Sequence, residues 1–102
     1  MPAAPHLVDL EVASALRRLA TERRLEVGQA ATALSEFLSM PVERYAHTDL
    51  VPRIWELRGS ITAYDAAYVA LAEALGCPLV TSDAKLARAS SANCTIEVLR
   101  AT

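Results

Sequence analysis

The sequence predicts an α/β fold in which a short parallel sheet is flanked by helices. Two observations lead there. Short apolar or alternating runs at residues 42–47, 79–81 and 95–99 are separated by segments of helical periodicity, and strands interleaved with helices build parallel sheets. The run Leu79-Val80-Thr81 is apolar without alternation, as a strand buried in a parallel sheet reads.

Residues 7–20 place Val8, Val12, Ala15, Leu16 and Leu19 at helical spacing. Pro5 stands just before, where proline is tolerated at a helix start. Arg17, Arg18, Arg23 and Arg24 crowd the C-terminal half, where cations suit the helix dipole. A second helix over residues 27–40 aligns Ala30, Ala33, Leu34, Phe37 and Leu38 on one face, and Pro41 ends it. In residues 42–47, Val42, Arg44 and Ala46 alternate with Glu43 and Tyr45, which predicts a short strand. Asp49 is positioned to cap a third helix over residues 50–58, with Pro52 in its first turn and Gly59 as its stop. Residues 63–75 are almost wholly apolar, with only Asp65 and Glu73 charged and Gly76 as the C-terminal cap. A helix so apolar must be buried on most sides. After the strand 79–81, residues 84–89 read as a short helix and residues 95–99 as the last of three strands.

A chain of 102 residues predicts a single domain, residues 1–102. With 53% hydrophobic and 22% charged residues, the composition reads as globular and argues against disorder. Aromatics are only 5%, so the core is expected to use small and aliphatic side chains. A net charge of −2 excludes a chain-wide attraction for nucleic acid, and any RNA contact must use a local patch. Cys77 and Cys94 are too few for a disulfide framework and read as free thiols of a reducing cytoplasm. No apolar run approaches the ~20 residues of a membrane span, and residues 1–6 lack the basic flank and apolar stretch of a secretory signal. The expectation is a soluble cytoplasmic protein.

Three carboxylates stand out by position. Glu11 lies at the margin of the first helix's apolar stripe, Asp65 in the first turn of the most apolar helix, and Asp83 directly after the strand 79–81. Ligands of open α/β sheets bind at the carboxyl ends of strands. Carboxylates converging there make a hard oxygen site suited to Mg²⁺ or Mn²⁺. Each also has a purely structural alternative. Thr62 and Asp65 have capping-box spacing, Asp83 suits the N-cap of the helix after it, and Glu11 can pair with Arg18 or face water. The arginines 17, 18, 23 and 24 suit phosphate contacts or a solvated helix face. His6 and His47 are isolated, the serines lack a nucleophile motif, and three glycines form no phosphate loop. Trp55 and Tyr45 read as core or partner contacts.

The segment from Ala63 through Tyr64-Asp65-Ala66-Ala67-Tyr68 to Ala72, followed by Pro78-Leu79-Val80-Thr81-Ser82-Asp83, resembles the C-terminal half of VapC-type PIN-domain toxins. Residues 5–18, from Pro5-His6-Leu7 through Glu11 to Arg17-Arg18, resemble the acidic middle helix of that family. The resemblance covers essentially the whole chain. It implies a PIN-like three-layer α/β fold and an Mg²⁺- or Mn²⁺-dependent endoribonuclease toxin that hydrolyses RNA phosphodiesters. It also implies a VapB-type antitoxin as partner. Carried over by position, Glu11, Asp65 and Asp83 are the catalytic, metal-binding residues, with Thr81 and Ser82 as supporting polar groups. Such toxins begin with a strand bearing an aspartate, followed by one or two helices, so the chain is expected to be N-terminally truncated. Asp9 does not replace that aspartate, because Glu11 and Arg17-Arg18 fit the middle helix and Asp9 points about 200° around the helix from Glu11. Loss of a strand opens sheet edges, from which a homo-oligomer is expected. The competing expectation is a catalytically inactive toxin that retains only antitoxin or subunit binding.

Overall fold

Alternating strands and helices fill the computed structural model, which describes residues 1–88 and 91–99. They divide into two compact units, Met1–Tyr45 and Ala46–Thr102. Each unit has its own pair of parallel strands, so the α/β class and the parallel pairing stand as expected.

In the first unit, β1 (Ala3–Pro5) pairs with β2 (Glu43–Tyr45), Ala4 opposite Arg44. The strand β1 was not expected from the sequence. Its three residues include a proline, yet Pro5 ends the strand and the next amide, of His6, donates to the Tyr45 carbonyl at 2.9 Å. Helix α1 (Leu7–Thr21) follows, rich in alanine, leucine and arginine, which favour helix. It ends where Arg23 turns to φ +58, so Arg23 and Arg24 lie beyond the helix and not within its C-terminal half. Helix α2 (Val27–Ser39) opens on a capping box between Glu26 and Gln29. It closes as Met40 becomes extended before Pro41. Asp9 on α1 grips Arg44 on β2, with Nε 2.9 Å from both carboxylate oxygens and Nη2 2.8 Å from Oδ1. Arg44 also lies 5.5 Å over the Phe37 ring, tying α2 to the same point.

In the second unit, a 3₁₀ turn (Thr48–Leu50) leads into α3 (Val51–Glu56). Asp49 sits inside that turn and does not cap the helix. The amide of Val51 is already satisfied by the Thr48 carbonyl. The helix ends at Glu56, where the Leu57 amide donates hydrogen bonds to the Arg53 and Ile54 carbonyls, three residues before Gly59. Helix α4 (Ala63–Leu75) begins where the Thr62 hydroxyl accepts the Asp65 amide and ends at Gly76, whose φ of +65° suits glycine. Its Ala66, Ala67, Val69, Ala70, Leu71 and Ala72 are buried, as its composition predicts.

Strand β3 (Leu79–Thr81) pairs with β4 (Ile96–Val98), Leu79 opposite Ile96. Only Leu79 of β3 is buried; Val80 is 52% exposed, so this strand is not covered on both faces. Helix α5 (Ala84–Ala87) is shorter than expected, and the expected last residue, Ala89, lies outside the described residues. The core of the unit is Leu57, Ala66, Val69, Ala72, Leu79 and Leu86. Burial of Leu57 or Val69 contributes about 1.5–3 kcal/mol each. Trp55 is 65% exposed and is therefore not a core residue. A polar clamp adds to this core. Arg53 donates to both oxygens of Glu73 at 2.8 and 3.1 Å and to the Ser91 carbonyl at 2.7 Å, and the Asn93 amide donates to Glu73 at 2.6 Å. No described helix is long and apolar enough to cross a membrane.

Candidate active site

Asp65 and Asp83 line one concavity of about 500 Å³ in the second unit, together with Arg58, Thr62 and Lys85. Asp65 is placed by the start of α4, where the helix N-terminus favours negative charge. Its amide donates to the Thr62 hydroxyl at 3.1 Å, so Thr62 is the cap and the pair forms the threonine half of the capping box foreseen for it. Asp65 also lines a neighbouring hollow of about 150 Å³ with Tyr68 and Thr81.

Asp83 stands two residues past the carboxyl end of β3 and caps α5. Its Oδ1 accepts the Lys85 amide at 2.9 Å, while its own amide donates to the Thr81 hydroxyl at 3.1 Å. Capping and ligand binding are compatible, since an ionised carboxylate offers about four lone-pair sites and the cap occupies one. Ser82 is exposed in the bend between β3 and α5.

Glu11 is exposed on α1, in the first unit. Arg17 and Arg18 are exposed on the same helix, and Arg23 and Arg24 follow it. Arg24 approaches Glu22 at 3.8 Å, an exposed pair of the kind that adds little to stability.

Two charged residues of the concavity were not singled out in the sequence: Arg58 and Lys85. Their placement beside the carboxylates follows a local pattern. Arg58, Asp65 and Lys85 are each bonded in the chain to a core residue, Leu57, Ala66 and Leu86, which are 1%, 0% and 5% exposed. The core thus fixes the backbone that carries each charge.

The donor set suits a hard divalent cation. Mg²⁺ retains several waters and is often held by one or two protein carboxylates, and Asp65 with Asp83 supplies two. Among the described residues no group of three histidine, cysteine or acidic side chains is gathered closely enough to hold a metal ion by itself.

The two cysteines are free. Burial, with the charge of Glu73, pushes the Cys94 thiol above its ordinary pKa, which disfavours the reactive thiolate.

The sequence matches the PIN domain family over residues 3–91. It is 50% identical over 95 residues to ribonuclease VapC9 of Mycobacterium tuberculosis, covering 93% of this chain and 75% of that protein. It is 44% identical over 98 residues to ribonuclease VapC1 of the same organism, covering 95% and 74%. Ribonuclease VapC12, also of that organism, is 38% identical over 96 residues, covering 94% and 74%. Carboxylates gathered at a strand's carboxyl end, a family match along most of the sequence and relatives this similar lead to one assignment: the chain belongs to the PIN-domain family, in its VapC group.

Proposed function

We propose that this chain is the endoribonuclease toxin of a VapBC-type toxin–antitoxin system, hydrolysing RNA phosphodiesters with Mg²⁺ or Mn²⁺. The observation that carries the reading is the convergence of Asp65 and Asp83 on one concavity beyond the carboxyl end of β3. Support also comes from the relatives, which are named as ribonucleases.

Asp65 and Asp83 would hold the cation; Glu11, in the first unit, corresponds to a further acidic residue of the family by sequence position alone. A cation held there would supply charge stabilisation at the phosphate and a more acidic water. Thr81 fixes the Asp83 backbone through its hydroxyl. Ser82 adds a polar group at the same bend. Arg17, Arg18, Arg23 and Arg24 contribute local positive charge for RNA, which a chain of net charge −2 must concentrate in patches. A VapB-type antitoxin and a second copy of the chain are the expected partners, in the cytoplasm.

The test is cleavage of total cellular RNA by the purified chain with Mg²⁺ or Mn²⁺, with Asp65→Asn as control. Cleavage that is lost in Asp65→Asn and in excess chelator supports the reading. Cleavage undiminished by chelator removes the metal mechanism, and a folded chain that cleaves nothing leaves a protein that binds without catalysing.

A further inference from the structure

Arg58 is a charge for which metal binding has no use. It lines the concavity with Asp65, Asp83 and Lys85. Its guanidinium lies 4.5 Å from the centroid of the Trp55 ring, and its Nη1 donates to the Trp55 carbonyl at 2.9 Å. Both contacts come from one turn earlier in the chain. They orient the guanidinium without neutralising it. Among the described residues, neither Arg58 nor Lys85 forms an ion pair with a carboxylate, whereas Arg44 and Arg53 are both paired.

Two unneutralised cations beside two carboxylates divide the concavity by charge. The carboxylates suit a cation, and the arginine and lysine suit the anion that such a cation would meet. The planar fork of arginine matches the oxygens of a phosphate. Orientation in advance by Trp55 reduces the freedom lost when the ligand arrives. Trp55 itself is exposed, and it is the single tryptophan of the chain.

We propose that Arg58 and Lys85 bind a phosphate of the RNA in this concavity, and that Trp55 is the positioning residue that aims Arg58. The proposal rests on the ribonuclease reading for the identity of the ligand.

The experiment uses the full chain and a labelled single-stranded oligoribonucleotide in chelator, so that binding is read apart from cleavage. Affinity is measured as a function of salt, with Trp55 emission followed in parallel. Arg58→Ala is expected to weaken binding about tenfold. It should also lower the slope of log affinity against log salt by about 0.7, the value of one phosphate contact on a single strand. Arg58→Lys should keep the slope and lose part of the affinity. Trp55→Leu should weaken binding about threefold with the slope unchanged, an effect of orientation and not of charge, and Trp55→Phe should restore it. RNA should change Trp55 emission in the parent chain and leave it unchanged in Arg58→Ala. Unchanged affinity and slope in a folded Arg58→Ala chain would overturn the proposal. If the parent chain fails to cleave RNA with metal while Arg58→Ala still weakens binding, the ribonuclease reading falls and the phosphate site stands. If cleavage and binding both persist in Arg58→Ala, the site falls and the reading stands. A parent chain that binds no RNA removes both.

Discussion

Truncating Leu57 to alanine tests the claim that the core fixes the candidate site. Leu57 is 1% exposed and packs in the cluster of Ala66, Val69, Ala72, Leu79 and Leu86. The change removes three buried carbons, worth about 0.8 kcal/mol each, or roughly 2.5 kcal/mol. A cavity term adds to this, and here it should be sizeable. Two of the cluster's five other members are alanines, whose short side chains cannot swing into the void. The expected loss is therefore about 3–4 kcal/mol, a large part of the ~5–15 kcal/mol that stabilises an ordinary domain. Urea unfolding followed by far-UV circular dichroism reads it. With a slope of about 1–2 kcal/mol per molar, the midpoint should fall by roughly 2 M or more. Leu38→Ala is the control: Leu38 is 56% exposed, and its replacement should cost about 0.5 kcal/mol or less. A loss below about 1 kcal/mol for Leu57→Ala would refute the packing argument, and with it the idea that this core holds Arg58 in place.

Asp83→Ala should abolish cleavage while the chain stays folded, at a cost of about 1 kcal/mol for the lost α5 cap; an equally active variant would take Asp83 out of the site. Gly76→Ala should cost about 1 kcal/mol in thermal unfolding. Nothing lies within 4 Å of the added carbon, so the φ of +65° is the sole source of the loss, and Gly76→Asn should lose less. The Arg53 guanidinium, opposed by burial and aided by the Asn93 amide, holds the Glu73 carboxyl below the usual carboxylate range. The stabilisation this carboxylate gives is therefore fully present above its unfolded-state pKa, and it disappears as pH falls through the lower folded-state value. Unfolding midpoints measured from pH 7 down to pH 3 should drop more steeply in the parent chain than in Glu73→Gln, and parallel curves would argue against the clamp.

Much of the fold was legible because its signals are local. The apolar stretch of α4, the glycine at its end and the threonine at its start determine that helix from within its own sequence, and the structure agrees at each point. Asp83 was legible at the carboxyl end of β3 by the same local logic, whereas Asp65 joined it only through the family resemblance. What was not legible depends on distant partners. Strand β1 has three residues and no alternation, and only its pairing with β2, some 40 residues later, makes it a strand. Asp9 had no visible role because Arg44 lies 35 positions away. The exposure of Trp55 was hidden because α3 has six residues, too few for periodicity to assign a face. Arg58 and Lys85 are ordinary exposed cations in the sequence, and only the folded chain sets them beside Asp65 and Asp83.

The bonding of Arg58, Asp65 and Lys85 to core residues has a consequence for recognition. A wall whose charges are one peptide unit from the interior cannot be remoulded around an ill-fitting guest, because any shift of the backbone would disturb close-packed side chains. The work of accommodation then falls on whatever enters. If the proposed phosphate site is real, a pliant single strand would adapt to this wall more readily than a stiff duplex, because the backbone under the charges would not yield.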